Sequence, residues 1–366
     1  MWKDSNIGRC FDLYSGNTPS RMEKEHFIGD VNWITSGELK EHYIGDTKER
    51  ISEKAAADNN LRILPVGTFV MAIYGLEAEG VRGTCSITVK TSTISQACMA
   101  FTPKSNVSNE FLYSWYKKHG NKIGIRYAQG TKQQNLSYDI IEKFPIRYPS
   151  IEEQEKLNTF ISLLDSRIAT QNKIIEDLKK LKVAIRDKQL NAIRKHYGLN
   201  YQICDLLDYE QPTKYVVTDT EYSEDRSKTP VLTANKAFIL GYTDENFGVY
   251  DKGACIILDD FTLDCKLVNF AFKVKSSAIK ILTPKNNIIL RYVYEYLNFL
   301  NLETTEHKRH YISEIEPMLI AYPDSNESVI SFCDLMDKFD KKIENENKYL
   351  QSLLSQKNYL LSNMFI

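Results

Sequence analysis

The sequence repeats itself, and this repeat constrains the fold more strongly than any single residue does. Residues 141–149 (IEKFPIRYP) return as residues 315–323 (IEPMLIAYP), and a long segment with apolar residues at alternating steps of four and three follows each copy. Heptad spacing of this kind is typical of a helix that buries one narrow apolar seam against a partner helix. The chain therefore contains two related halves.

The predicted seam has seven apolar positions in each segment, and the second set is the first set shifted by 175 residues. The positions are Leu157, Ile161, Leu164, Ile168, Ile175, Leu178 and Ile185, then Phe332, Met336, Phe339, Ile343, Leu350, Leu353 and Leu360. The interruptions repeat as well, because Gln171 and Lys182 match Glu346 and Lys357. An amphipathic helix of about 40 residues is roughly 60 Å long and needs a partner. We therefore predict that the two helices pair as an antiparallel coiled coil with pseudo-twofold symmetry.

These helices divide the chain into four segments. Two globular segments, the first head (residues 1–150) and the second head (residues 196–323), alternate with helices predicted over residues 151–195 and 324–366. Each head is long enough to bury a core of its own. The predicted fold class is α+β, with two mixed α/β domains separated by two long helices.

Composition excludes several classes of protein. No apolar run approaches the length of a membrane span, and the first residues lack a signal-peptide profile, so we expect a cytoplasmic protein. The seven cysteines include no Cys-x-x-Cys pair, which favours a reducing compartment. The formal net charge of −1 does not by itself indicate a nucleic-acid partner. Reading of bases nevertheless requires only local donors at the groove edge.

The sequence contains few signs of catalytic chemistry. It lacks the glycine-rich phosphate loop, the dinucleotide-binding turn, the nucleophile elbow and the Asn/Asp-Pro-Pro-aromatic signature of amino-methyltransferases. Asp251, Asp264 and Lys266 resemble a nuclease set in residue type, but their loose spacing favours a solvated loop. His307 and His310 lie three residues apart and no further ligand is nearby, so no metal site is predicted.

Several short segments together carry a resemblance to a known family. They are residues 15–21 (SGNTPSR), 34–39 (ITSGEL) and 148–154 (YPSIEEQ) in the first half, and 208–215 (DYEQPTKY), 229–234 (TPVLTA) and 259–262 (DDFT) in the second. With these segments, the whole chain resembles the specificity subunit of type I restriction-modification systems, HsdS. The second long segment departs from the pattern, because it opens with PDSNE (323–327) and lacks the Glu-Glu-Gln of the first.

The resemblance implies a function. In that family two target-recognition domains each read one half of a bipartite site in double-stranded DNA, and two helical spacers set the gap between the half-sites. The subunit has no catalytic activity and no cofactor of its own. Two methyltransferase subunits, which carry S-adenosylmethionine, and a nuclease and translocase subunit would join it. Because the two heads differ in sequence, we expect an asymmetric site.

The candidate DNA-contacting residues lie mainly in two polar loops that precede the repeated segments. Amide side chains can pair with adenine and arginine with guanine, which makes these loops plausible readers, although each could be an ordinary solvated turn. The candidates are Gln129, Thr131, Lys132, Gln133, Gln134 and Asn135 in the first head, and His307, Lys308, Arg309 and His310 in the second. Further candidates are Ser20, Arg21 and the segment from Tyr74 to Arg82 in the first head, and Thr213, Lys214, Tyr215 and Lys236 in the second.

Two other functions remain open from the sequence. The chain could be the specificity subunit of a related system in which nuclease and methyltransferase share one polypeptide. It could also be a coiled-coil scaffold that joins two protein-binding heads. The neighbouring open reading frame would identify the first alternative, and binding to a random duplex pool would test the second.

Overall fold

The structure is a computed structural model that describes residues 2–77, 80–130, 134–234, 237–285, 287–304, 306 and 308–365. The chain divides into two compact units, of which the first comprises Met1–Asn172 with Tyr349–Ile366 and the second comprises Lys173–Lys348. Each unit therefore contains one head and a portion of both long helices. The predicted division into four segments, at residues 150, 195 and 323, stays a prediction. The two compact units do not test it, because each unit contains a head together with parts of both long helices.

The first unit is built on two small sheets and one two-stranded ladder. Its strands are β1 Lys3–Asn6, β2 Phe11–Ser15, β3 Val31–Ile34, β4 Tyr43–Ile44, β5 Arg50–Ile51, β6 Phe69–Ala72, β7 Cys85–Thr88, β8 Ser92–Ile94, β9 Cys98–Pro103 and β10 Pro145–Tyr148. The larger sheet has the order β2-β9-β6-β7-β4 and the smaller β5-β3-β8, while β1 pairs with β10. All neighbouring strands are antiparallel except β3 with β8 and β4 with β7.

Four helices complete the first head, and hydroxyl or amide side chains cap three of them. They are α1 Ile7–Cys10, α2 Glu53–Asp58, α3 Asn109–Tyr127 and α4 Tyr138–Glu142. Ser108 accepts a hydrogen bond from the amide of Phe111 (3.1 Å), which satisfies a free donor in the first turn of α3. The buried face of α3 packs on the larger sheet, where Phe69 contacts Phe101 edge to face with ring centroids 5.1 Å apart.

The second unit repeats this plan in a shorter form. Its strands are β11 Tyr201–Gln202, β12 Leu207–Glu210, β13 Thr229–Leu232, β14 Ile239–Thr243, β15 Cys255–Asp259, β16 Cys265–Val268, β17 Lys273–Val274, β18 Ile279–Pro284 and β19 Leu319–Ile320. They form sheets of order β12-β18-β15-β16 and β14-β13-β17 and the ladder β11-β19. The short helices are α6 Ile203–Leu206 and α7 Leu290–Leu300, and Tyr311–Ile315 forms one π-helical turn.

Both heads begin and end in the same way. In each, a closing ladder joins the first and last strands, and a short helix follows the first strand. The next strand, β2 or β12, forms the edge of the main sheet and pairs antiparallel with β9 or β18. A longer helix, α3 or α7, then leads to the predicted polar loop and to the last strand. The repeat found in the sequence is thus a repeat of supersecondary structure.

Two long helices follow the heads: α5 spans Ile151–Tyr197 and α8 spans Asn326–Met364. The Glu-Glu-Gln motif has a clear role at the start of α5, because the buried side chain of Gln154 donates to the carbonyls of Asn106 (2.7 Å) and Pro149 (3.0 Å). Its own Oε1 accepts from the amide of Ser108 at 2.9 Å. The equivalent residue in α8, Val329, is fully buried and apolar, so packing replaces these hydrogen bonds.

Candidate nucleic-acid interface

Two of the predicted DNA-contacting segments of the first head meet in space. Gln129 and Asn135 exchange two main-chain hydrogen bonds of 2.9 Å, which join the two ends of the polar loop in an antiparallel bridge. The carbonyl of Gln134 accepts from the amide of Leu76 (3.0 Å), and its amide donates to the carboxylate of Glu77 (2.8 Å). The loop thereby joins the segment from Tyr74 to Arg82. Of the predicted readers here, Thr131, Lys132 and Gln133 lie outside the described residues.

Arg82 and Gln134 form the most specific contact at this place. The guanidinium Nη2 donates to the side-chain Oε1 of Gln134 at 2.9 Å. The half-buried stem of Arg82 lies over Gly124, where an added Cβ would come within 2.4 Å of Cγ, so a side chain at that position would displace the arginine. With its oxygen occupied, the Gln134 amide presents donors, which suit the N7 and O6 acceptors of purines.

Other predicted residues of the first head have different surroundings. The exposed side chain of Tyr74 begins the same loop segment. Arg21 instead makes two hydrogen bonds of 2.7 and 2.8 Å to Glu49, and its guanidinium lies 4.9 Å from the ring centroid of Phe27. Ser20 is exposed beside it. No hydrogen bond or ion pair joins Ser20 or Arg21 to the Tyr74 loop in the described parts of the chain.

The polar loop of the second head is held through His310. This side chain is only 2% exposed, and its ring nitrogens lie 2.8 Å from Glu314 Oε2 and 2.9 Å from Thr304 Oγ1. The hydrogen bond with Glu314 raises the pKa of His310. We expected His310 to contact DNA, but a buried ring with both nitrogens engaged serves to anchor the loop. The predicted reader His307 lies outside the described residues.

Lys308 and Arg309 remain on the surface of this loop. The Lys308 ammonium pairs with Glu306 (2.6 Å) and Glu314 (3.0 Å), so it must leave two carboxylates to meet a phosphate. Arg309 is exposed and makes no hydrogen bond or ion pair with any residue that the structure describes. Its five donors are available, which makes it the better placed of the two cations for a base edge.

Another predicted group of the second head centres on Glu210. Lys214 (2.6 Å), Lys252 (2.8 Å) and the hydroxyl of Tyr215 (3.0 Å) all contact its carboxylate. Burial disfavours the ionised form of Glu210, but these hydrogen bonds outweigh it and lower the pKa to about 2. Tyr215 is buried, so its hydroxyl holds the Glu210 carboxylate in place and is not available to DNA. Lys214 and the neighbouring Thr213 are exposed. Lys236 lies outside the described residues.

The predicted seam positions share low exposure. All fourteen are buried or half-buried, while most of the intervening residues of α5 and α8 are exposed. The two lysines that interrupt the seam are both paired: Lys357 with Asp165 (2.5 Å) in the first unit and Lys182 with Asp340 (2.6 Å) in the second. The 175-residue shift relates Lys182 to Lys357 and Asp165 to Asp340. The two lysines that interrupt the apolar pattern therefore make equivalent ion pairs in the two units. Pairing of the helices along their whole length stays a prediction.

The described residues contain no cluster of three or more histidine, cysteine, aspartate or glutamate side chains that could hold a metal ion. Asp251 and Asp264 are exposed and lie outside the strands, whereas Lys266 is half-buried within β16 and does not lie in the loop that we expected. Within the same described ranges, no helix is long and apolar enough to cross a membrane.

Two residues that anchor the loop of the second head were missed from the sequence: Asp260 and Lys280. Asp260 and Lys280 are each about 1% exposed, and an oxygen of Asp260 accepts the amides of His310 and Tyr311. The only available signal was the segment 259–262 (DDFT), which we used for the family resemblance and not for a role in the site. Long-range partners of this kind cannot be located by local spacing.

Comparison with known proteins agrees with the resemblance. Residues 1–180 match the family described as type I restriction modification DNA specificity domain. The type I restriction enzyme EcoR124I/EcoR124II specificity subunit of Escherichia coli is 44% identical over 147 residues, which is 37% of this chain and 36% of that protein. The type I restriction enzyme MjaIX specificity subunit of Methanocaldococcus jannaschii is 30% identical over 220 residues, covering 59% of this chain and 50% of that protein. The chain thus matches half or less of the length of these relatives.

A solved structure extends the similarity of fold to the whole chain. The S subunit of a type I restriction-modification system from M. genitalium superposes with a TM-score of 0.58 at 16% identity, covering 100% of this chain and 96% of that one. At this level of identity the likeness concerns the fold alone. The predicted fold class, two mixed α/β domains with long helices, is confirmed.

Proposed function

Since residues 1–180 match the type I restriction modification DNA specificity domain, we propose that the whole chain is the specificity subunit of such a system. In this proposal the chain binds double-stranded DNA and reads an asymmetric bipartite site, one half-site with each head. It carries no catalytic residues. It positions the subunits that methylate and cleave, and it acts in the cytoplasm where they meet the DNA.

The observation that carries the proposal is the matching place of the two polar loops. Each lies between the longer helix of its head, α3 or α7, and the strand that closes the head, and a carboxylate accepts a main-chain amide of each loop. The two loops differ in chemistry, because the first presents the Arg82 and Gln134 pair and the second presents Arg309. Different donors at equivalent positions support two different half-sites.

Partner subunits are expected to dock on the long helices. In the first unit, Phe160 and Leu163 of α5 are 44% and 65% exposed, which is unusual for large apolar side chains on a helix that already buries a seam. We propose that two methyltransferase subunits bind the helical portions and supply S-adenosylmethionine, and that they act on an adenine flipped out of the duplex. A nuclease and translocase subunit completes the complex. The helices set the gap between the half-sites.

Two alternatives from the sequence predict different outcomes. A specificity subunit of a system with fused nuclease and methyltransferase would use the same residues, and only the partner polypeptide would differ. A coiled-coil scaffold with protein-binding heads would not need the Arg82 and Gln134 contact, because nothing in such a role selects donors for purine edges. The family that matches residues 1–180 is a DNA specificity domain, which favours the proposed specificity subunit over a protein-binding scaffold.

The test is sequence selection from a randomised duplex by the chain assembled with its methyltransferase subunits. We expect enrichment of a split motif with two unlike halves. Arg82→Ala should weaken base preference in the first half-site only, by about 1–3 kcal/mol, because it removes one set of donors and frees the Gln134 amide. Arg147→Ala is a control, since this residue of β10 pairs with Asp4 of β1 at 2.7 Å in the closing ladder and belongs to neither polar loop nor the long helices. Absence of any enriched motif would refute the proposal.

A further inference from the structure

The polar loop of the second head is tied to a buried carboxylate. Oδ1 of Asp260 accepts hydrogen bonds from the main-chain amides of His310 (3.1 Å) and Tyr311 (2.7 Å). The main-chain carbonyl of Asp260 also accepts from the amide of His310 at 3.0 Å. Tyr311 has no second acceptor of this kind in the described residues, so its amide depends on the carboxylate. The contact lies directly after Arg309 in the chain.

A buried lysine fixes the position of this carboxylate. Lys280 of β18 is 1% exposed, and its ammonium lies 3.4 Å from Oδ2 of Asp260. The ammonium is also 5.3 Å from the ring centroid of Tyr209, and that ring packs edge to face on Tyr311 at 5.4 Å. Burying two charges is costly, and removal of either partner would leave an uncompensated buried charge. The ion pair therefore holds the carboxylate within hydrogen-bond distance of the amides of His310 and Tyr311.

The side chain of His310 provides a second attachment for this loop. Its ring nitrogens contact Thr304, which precedes Arg309 in the chain, and Glu314, which follows it. The first head uses a similar device, because Glu77 accepts the amide of Gln134 at 2.8 Å. In that head the carboxylate is exposed, whereas in the second it is buried with its counter-ion. An acidic acceptor under each loop is therefore common to both heads.

We propose that Asp260, held by Lys280, is a positioning residue for base reading by the second head. It fixes the main chain at His310 and Tyr311, and this sets where the side chain of Arg309 begins. A bidentate contact with guanine requires the guanidinium in one orientation, so an error in the backbone costs recognition even when Arg309 is present. This inference rests on the proposed function of the chain, but the contact itself can be tested without DNA.

The test compares two double variants that leave no unpaired charge in the core. Lys280→Met is combined with Asp260→Asn, which keeps the acceptor oxygen, or with Asp260→Leu, which removes it while keeping the number and branching of the side-chain non-hydrogen atoms. Hydrogen exchange of the Tyr311 amide is measured in the free protein, and the amide of Tyr250, bonded to the carbonyl of Phe272 at 2.8 Å, reports on the rest of the head. We expect about tenfold or greater loss of protection at Tyr311 with leucine and little change with asparagine.

The same two variants are then assembled with the methyltransferase subunits for sequence selection. With leucine, base preference in the half-site of the second head should fall about tenfold, while the other half-site keeps its preference. With asparagine both preferences should survive. This rescue by the conservative variant distinguishes positioning of the loop from a general effect on folding.

Each other outcome overturns the inference. If the leucine variant keeps the protection of Tyr311 or the preference of the second half-site, Asp260 does not position the loop. If both variants lose protection at Tyr250 as well, the ion pair stabilises the whole head and has no specific role in reading. If the wild-type complex enriches no split motif, the proposed function fails, and a loss of Tyr311 protection would then show a structural clamp without a role in recognition.

Discussion

Replacement of Phe365 by alanine should destabilise the first unit strongly, although this residue stands at the end of the chain. Its side chain is fully buried, with its ring centroid 5.4 Å from that of Phe111, in the same core as Phe69 and Phe101. Lys118 fixes the backbone around it by donating to the carbonyls of Ser362 and Phe365. The end of α8 is therefore part of the core of the first head.

The magnitude follows from the volume removed. Truncation of a buried phenylalanine to alanine costs about 3–5 kcal/mol. We expect about 3 kcal/mol, because Phe365 follows the last residue of α8, Met364, and its backbone can relax into part of the cavity. For a unit of this size, such a change lowers Tm by roughly 6–12 °C. The effect should therefore lie at the lower end of the range for an internal core substitution.

Tryptophan fluorescence provides a selective assay. The chain has three tryptophans, Trp2, Trp33 and Trp115, and all of them lie in the first unit, so their emission follows that unit alone. Tyr359→Ala is the matched control, because this aromatic residue of α8 is 67% exposed and its truncation should cost less than about 0.5 kcal/mol. If Phe365→Ala leaves the fluorescence transition unchanged, the end of α8 frays independently and the reasoning is wrong.

Three further predictions concern the second head and the helices. Arg309→Ala should relax base preference in the second half-site by about 1–3 kcal/mol, whereas Lys308→Ala should weaken binding uniformly and reduce the salt slope by about one unit, both measured by sequence selection and salt titration. The stabilising effect of Glu210, whose pKa is lowered to about 2, should be fully present above its ordinary value of 4.5 and be lost as the pH falls towards 2; urea unfolding should show that Glu210→Gln lacks this dependence. Ile168→Glu should cost about 2 kcal/mol or more and reduce capture of methyltransferase subunits in a binding assay, and normal assembly would contradict the predicted seam.

The sequence predicted the parts of the fold that depend on periodic burial. Heptad spacing indicated both long helices, and the expected start at residue 151 coincides with that of α5 at Ile151. Periodicity reports which face of a helix is apolar and how long the pattern lasts. It could not show that Lys182 and Lys357, which break the pattern, are paired with Asp340 and Asp165, because their partners lie more than 150 residues away in the chain.

The candidate site was predictable only in part, for a similar reason. Polar composition correctly directed attention to both loops, but composition does not distinguish a side chain that faces solvent from one that anchors the loop. His310 and Tyr215 were both chosen as readers, and both are buried against carboxylates, Glu314 and Glu210. These contacts depend on how the loops cross the sheets, which local residue types do not encode.

The closing ladders have a consequence for how such chains change over time. In each head the first and last strands pair, β1 with β10 and β11 with β19, so the two ends of each head are neighbours. A head inserted between such neighbouring points can gain, lose or exchange its whole interior without altering the helix that follows. The two heads already differ in length and strand number within one polypeptide. Exchange of entire heads is therefore a short evolutionary step for this architecture, whereas gradual change of single residues must preserve each buried anchor.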